Sequence, residues 1–140
     1  GTLLALAGLK RLGMAERASA VLGIDEMLPA IAQGAVGIEC RAADDAMIEL
    51  LAAIGCLATK ACVDAERAAL AALDGSCRTP IAGLAGLDGE KLMLSVLIAR
   101  PDGSEVHHET GEAHVQDGRA LGDVLGRKLK ERGGPGFFVH

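Results

Sequence analysis

The stretch that most constrains the fold runs from Leu57 to Gly134, where helical and strand periodicities follow one another with clear punctuation. "LATKACVDAERAALAALDG" places Leu57, Ala61, Ala65, Ala69 and Leu73 on one apolar face at helical spacing, with Lys60, Asp64, Arg67 and Ala71 on another. Gly75 stands just past its expected end. Three strand-like runs follow, "PIAGLAGL", "KLMLSVLIA" and "SEVHHETGEA". Asp88-Gly89 and Pro101-Asp102-Gly103 separate them, both turn-forming combinations. "DGRALGDVLGRKLKERGG" then reads as a basic amphipathic helix closed by two glycines. A helix, a three-stranded meander and a helix around one core imply an α+β domain, with helices on one face of an antiparallel sheet.

Before Cys56 the signals are fragmentary. Thr2 to Leu12 forms a short apolar element stopped by Gly13, and "MAERASAVLG" a second short turn. In "DEMLPAIAQGAVGIECR", Pro29, Gly34 and Gly37 interrupt the pattern, which predicts a crossing segment leading into a short strand near Ala35–Cys40. Asp44-Asp45 offers an N-cap for a helix to about Ala53, ended by Gly55. The opening "GTLLALAGLKRLG" begins inside an element, and its basic residues follow the apolar run, the wrong order for a signal peptide. The chain therefore reads as a piece of a longer one.

Composition narrows the function classes. Aromatic residues make up 1% of the chain, so base stacking on single-stranded nucleic acid is disfavoured and the core must be aliphatic. A formal charge of −5 argues against a broad phosphate-binding face. No run approaches the length of a membrane-spanning helix. We expect neither nucleic acid nor membrane as partner.

Cysteines stand at 40, 56, 62 and 77 without a CxxC pair, which favours reduced thiols in the cytoplasm over a disulfide framework. Cys40 and Cys62 read as small hydrophobes, and Cys56 is ambiguous. Cys77 differs: in "LAALDGSCRTPIAG" it lies in a loop among Gly, Ser, Arg and Thr. It could be a redox centre, a nucleophile, an anchor or an inert filler. A helix C-terminus precedes it and disfavours thiolate, while Arg78 acts the other way. That placement suits a thiol that reacts once better than one that cycles. No metal site is expected, since His107 and His108 point to opposite faces of one strand and no cysteine spacing matches a zinc motif. "GLKRLG" and "AQGAVG" match neither a P-loop nor a dinucleotide fingerprint. Lys10-Arg11 is either a solvated helix end or a fork for carboxylates.

Taken together, "LAGLKRLG", "LPAIAQGAVGIECR", "ERAALAALDGSCRTPIAGLA" and "DGEKLMLSVLIARPDGS" resemble, in order and spacing, the porphobilinogen deaminase (hydroxymethylbilane synthase) family. The resemblance covers essentially all of the chain, although the family chain is about twice as long. It implies that residues 1–28 are the tail of the family's second domain and residues 29–56 the hinge and the segment returning to the first, these being remnants of two α/β domains. Residues 57–140 would be the C-terminal, cofactor-carrying domain, a three-stranded antiparallel sheet covered by helices. It implies a transferase of tetrapyrrole (haem and porphyrin) biosynthesis that joins four porphobilinogen units head to tail, losing ammonia each time, to give hydroxymethylbilane.

By the same resemblance, Cys77 carries a dipyrromethane cofactor through a thioether, Arg11 matches a carboxylate-binding arginine, and Gln33 and Gly34 match the hinge beside the cofactor. Ala32 stands where the family usually has glycine. The family's catalytic aspartate belongs to the first domain, and no aspartate here lies in a matching motif, so no catalytic residue is assigned and the chain alone is expected to be inactive. The parent is expected to be monomeric and the isolated chain to self-associate. The competing readings are a non-catalytic pyrrole- or partner-binding module from the same domain, and a structural domain with an inert cysteine.

Overall fold

The structure is a computed structural model and describes residues 1–75 and 79–138. Helix α1 spans Leu6–Arg11 and α2 Asp45–Ile54, with a 3-10 turn at Ala15–Arg17 between them. Helix α3 covers Leu57–Ala72, strands β1, β2 and β3 cover Ile81–Asp88, Lys91–Ala99 and Val106–His114, and α4 covers Gly118–Gly133. The sheet is an antiparallel meander in the order β1-β2-β3. Its registers run from Ile81↔Ile98 to Asp88↔Lys91, and from Lys91↔His114 to Ala99↔Val106. This is the α+β arrangement expected from the sequence. Gly89 and Gly103 take φ of 58° and 74°, so each turn uses the left-handed conformation that favours glycine.

Period-two alternation decides the inner face. Leu92, Leu94, Val96 and Ile98 of β2 are buried, joined by Ile81 and Ala85 of β1. Ala65 and Ala69 of α3, Leu73 just past it, and Leu125 and Leu129 of α4 close the core from the helical side. Each of the large aliphatic side chains contributes about 1.5–3 kcal/mol by leaving water. Leu57 departs from expectation: it shares the helical phase of Ala65 but is 83% exposed, because none of the described residues covers the first turn of α3. Phe137 is buried, 5.3 Å from the His107 ring and 5.0 Å from the Arg100 guanidinium, and holds the segment after α4 onto the domain.

The two helices touch backbone to backbone. A Cβ on Gly122 would lie 2.1 Å from the Ala65 carbonyl oxygen, and one on Gly126 2.6 Å from that of Ala69. Gly118, Gly122 and Gly126 thus form a side-chain-free seam on α4 against the alanines of α3.

Residues 1–56 are built otherwise. Neither α1, the 3-10 turn nor α2 buries a residue, and Leu3, Val36, Leu50 and Ile54 are among the exposed apolar side chains. Local signals still hold: Asp44 caps α2 by accepting from the Met47 N–H at 3.2 Å, and Gly55 follows its end. The strand expected near Ala35–Cys40 is absent, because the described residues offer it no partner strand. An isolated bridge lies earlier, between Ala30 and Ala82 of β1. No single helix among the described residues is long and apolar enough to cross a membrane.

Candidate functional site

Cys77 falls outside the described residues, but both sides of its loop are defined. Helix α3 ends in a left-handed Asp74, φ 51°, and the Gly75 N–H donates to the Leu70 carbonyl at 3.0 Å. A side chain at Gly75 would collide with Ile81 and Leu70, at 2.5 and 2.6 Å from its Cβ. The Asp74 carboxylate pairs with Lys130 of α4. On the far side, the Ala99 N–H donates to the Pro80 carbonyl at 3.0 Å. The described residues on either side, the end of α3 and the start of β1, are thus fixed.

Gln33 and Gly34 sit in an exposed turn after the bridge to β1. The Gln33 N–H donates to the Ala30 carbonyl at 3.0 Å, and Gly34 has φ 87°. Ala32 also lies in the left-handed region, φ 58°, a conformation that glycine favours. Its N–H donates to Glu66 Oε2 at 2.6 Å, while Glu66 Oε1 accepts from the Ala85 N–H at 2.8 Å. Glu66 is 5% exposed, the one buried charged residue among those described. The sequence signal for it was a carboxylate directly between the apolar positions Ala65 and Ala69 of the amphipathic pattern.

Arg11 is exposed in the last turn of α1 and makes no ion pair among the described residues, so its guanidinium is available for an anion. It stands on a different element from the Gln33–Gly34 turn. Two open clefts elsewhere on the surface contain neither group. One is lined by three acidic residues, Asp88, Glu90 and Glu112, with Lys91 and His114, and suits a polyanion poorly. The other lies against α2, where Arg41 is already paired with Asp44 at 3.0 Å.

The remaining thiols differ from one another. Cys56 is exposed at the N-cap of α3. It makes no close capping hydrogen bond, but the Thr59 hydroxyl, and then the Thr59 N–H, favour the thiolate and hold the thiol below its ordinary range. Cys62 is pushed up, first by burial and then by the negative charge of Glu66. His107 and His108 do face opposite sides, His107 inward on Phe137 and His108 outward, with its Nε2 2.7 Å from Ser95 Oγ. No group of three metal-ligating side chains occurs among the described residues.

Residues 60–131 match the family model described as "Porphobilinogen deaminase, C-terminal domain". Residues 1–49 match "Porphobilinogen deaminase, dipyromethane cofactor binding domain". Among curated proteins, the chloroplastic porphobilinogen deaminase of Pisum sativum is 49% identical over 140 residues, covering 98% of this chain and 38% of the relative. Porphobilinogen deaminase of Paracoccus denitrificans is 51% identical over 137 residues, covering 98% of this chain and 44% of the relative. That of Nitrobacter hamburgensis is 47% identical over 138 residues, covering 99% and 44%. The chain thus spans about two-fifths of the length of the curated relatives it matches.

Proposed function

Since this chain belongs to the porphobilinogen deaminase family, we propose that it is the C-terminal part of a hydroxymethylbilane synthase and carries the attachment point of its dipyrromethane, Cys77. The observation that carries the reading is near-50% identity to deaminases along the whole chain, with Cys77 inside a "GSCRTPI" run anchored at both sides. The residues present fit such a group in their chemistry. A helix C-terminus before a loop thiol disfavours thiolate, which suits one permanent C–S bond to a pyrrole methylene. Arg11, exposed and without an ion pair among the described residues, suits the acetate and propionate groups of a polypyrrole.

When bound, the dipyrromethane supplies the free pyrrole carbon to which porphobilinogen units are joined. Each joining would form one carbon–carbon bond at the aminomethyl carbon of an incoming unit, with ammonia leaving and one proton lost from the ring carbon. In this assignment Cys77 holds the chain covalently, Arg11 pairs with its carboxylates, and the Gln33–Gly34 turn borders it. The proton-handling aspartate lies outside the matched motifs, so these 140 residues alone should release no ammonia from porphobilinogen. The full-length enzyme is read as a cytoplasmic monomer.

Intact mass of the full-length gene product, with peptide mapping around Cys77 and a Cys77→Ser control, tests the assignment. A dipyrromethane adduct on Cys77, lost in the control, is the expected result. An unmodified Cys77 in a soluble full-length protein would move the reading to a non-catalytic pyrrole-binding module.

A further inference from the structure

The open edge of β1 is closed by three devices from outside the sheet. The Gly83 N–H donates to the Pro29 carbonyl at 2.9 Å, and the next outward-facing donor, the Ala85 N–H, goes to Glu66 Oε1 at 2.8 Å. Glu66 Oε2 then accepts from the Ala32 N–H at 2.6 Å. One carboxylate therefore bridges a strand edge and a turn 34 residues away in sequence from its own position. The third device is Ile31, whose Cδ1 occupies the space over Gly83, 2.5 Å from where a Cβ would stand.

The chemistry specifies glutamate. Both groups facing it are N–H donors, one on each oxygen, so both oxygens must accept. Glutamine would aim an NH₂ at one of the two donors, and aspartate is a methylene shorter. A carboxylate this buried requires such donors, and backbone N–H groups supply them without side-chain entropy. Glu66 stands on α3 and holds the edge of β1, the two elements that flank residue 77 in the sequence.

We propose that Glu66 is a positioning residue: its carboxylate fixes the Ala32–Gly34 turn to the edge of β1 and so sets where Gln33 and Gly34 stand. The assignment of that turn as cofactor-facing rests on the deaminase reading; the anchoring does not.

The test is Glu66→Gln in the full-length protein, read by amide exchange and by kinetics. Exchange across residues 30–34 should quicken at least tenfold, while the 92–98 segment of β2 keeps its protection. Cys77 should remain loaded, with kcat at least tenfold lower and KM within twofold. Unchanged exchange at 30–34 overturns the proposal, as does faster exchange throughout the core, which would make Glu66 a general stabiliser. Quickened exchange with unaltered kcat also overturns it. If the glutamine variant fails to fold, Glu66→Asp, still charged but a methylene shorter, should release the same turn with the same kinetic effect; protected residues 30–34 in that variant overturn the proposal. A wild-type protein without an adduct on Cys77 would remove the deaminase reading, and the exchange experiment would still decide the anchoring.

Discussion

Single residues carry the most specific chemistry of this chain and were the hardest to read from sequence. Ala32 is an example: nothing in its neighbours announces φ 58°, a conformation that costs a residue with a Cβ about 1–2 kcal/mol. Ala32→Gly should raise stability by up to about 1 kcal/mol, after allowance for the freer unfolded chain, and a urea midpoint that falls would count against strain at this site. Cys56 is a second example. Its ambiguity in the sequence resolves once it is placed at the N-cap of α3, with the Thr59 hydroxyl favouring the thiolate. A thiol held low becomes thiolate, and so nucleophilic, at lower pH than an ordinary cysteine. Iodoacetamide should therefore label Cys56 with a pH midpoint below that of free cysteine, and Thr59→Ala should move the midpoint up. Cys62 should label later than Cys56, since burial raises it. Equal midpoints for the two thiols would refute this ordering.

At the scale of elements the sequence was most legible where patterning and punctuation agreed. The three strands, their two turns, α3 and α4 all lie within a few residues of the expected bounds, because period-two alternation and glycine turns are local instructions. The expected strand near Ala35–Cys40 did not form, because a strand is a relation between two segments and this one has no partner among the described residues. The seam on α4 was equally invisible, since glycine in a helix reads as a propensity cost of about 1 kcal/mol until the facing backbone is known. Here the cost permits contact with Ala65 and Ala69. Gly122→Leu should destabilise the domain by about 3 kcal/mol through overpacking. Gly8→Ala in α1, where nothing lies within 4 Å of the added methyl, should cost nothing; thermal denaturation of both variants separates packing from propensity.

At the scale of the whole molecule, the chain divides into a packed α+β domain and a leading segment that buries almost nothing by itself. The resemblance supplied a reason in advance, and the exposed apolar residues of α2 and of residues 35–40 agree with a segment made to complete something else. Limited proteolysis should cut first between Ala35 and Asp44 and leave residues 57–138 intact; equal resistance throughout, in a monodisperse monomer, would contradict this. What no pattern in the sequence revealed is that the packed part reaches back across its apparent border. Pro29 and Ile31 are secured to β1, and Ala32 to Glu66, 34 residues further along the chain. An expression boundary drawn at Leu57 would look clean on paper. It would strip the Pro29 acceptor from Gly83, leave one oxygen of Glu66 without its donor, and bare a sheet edge to any strand in solution. A boundary at Leu28 keeps that edge shut, and the smallest piece of this protein worth purifying begins there.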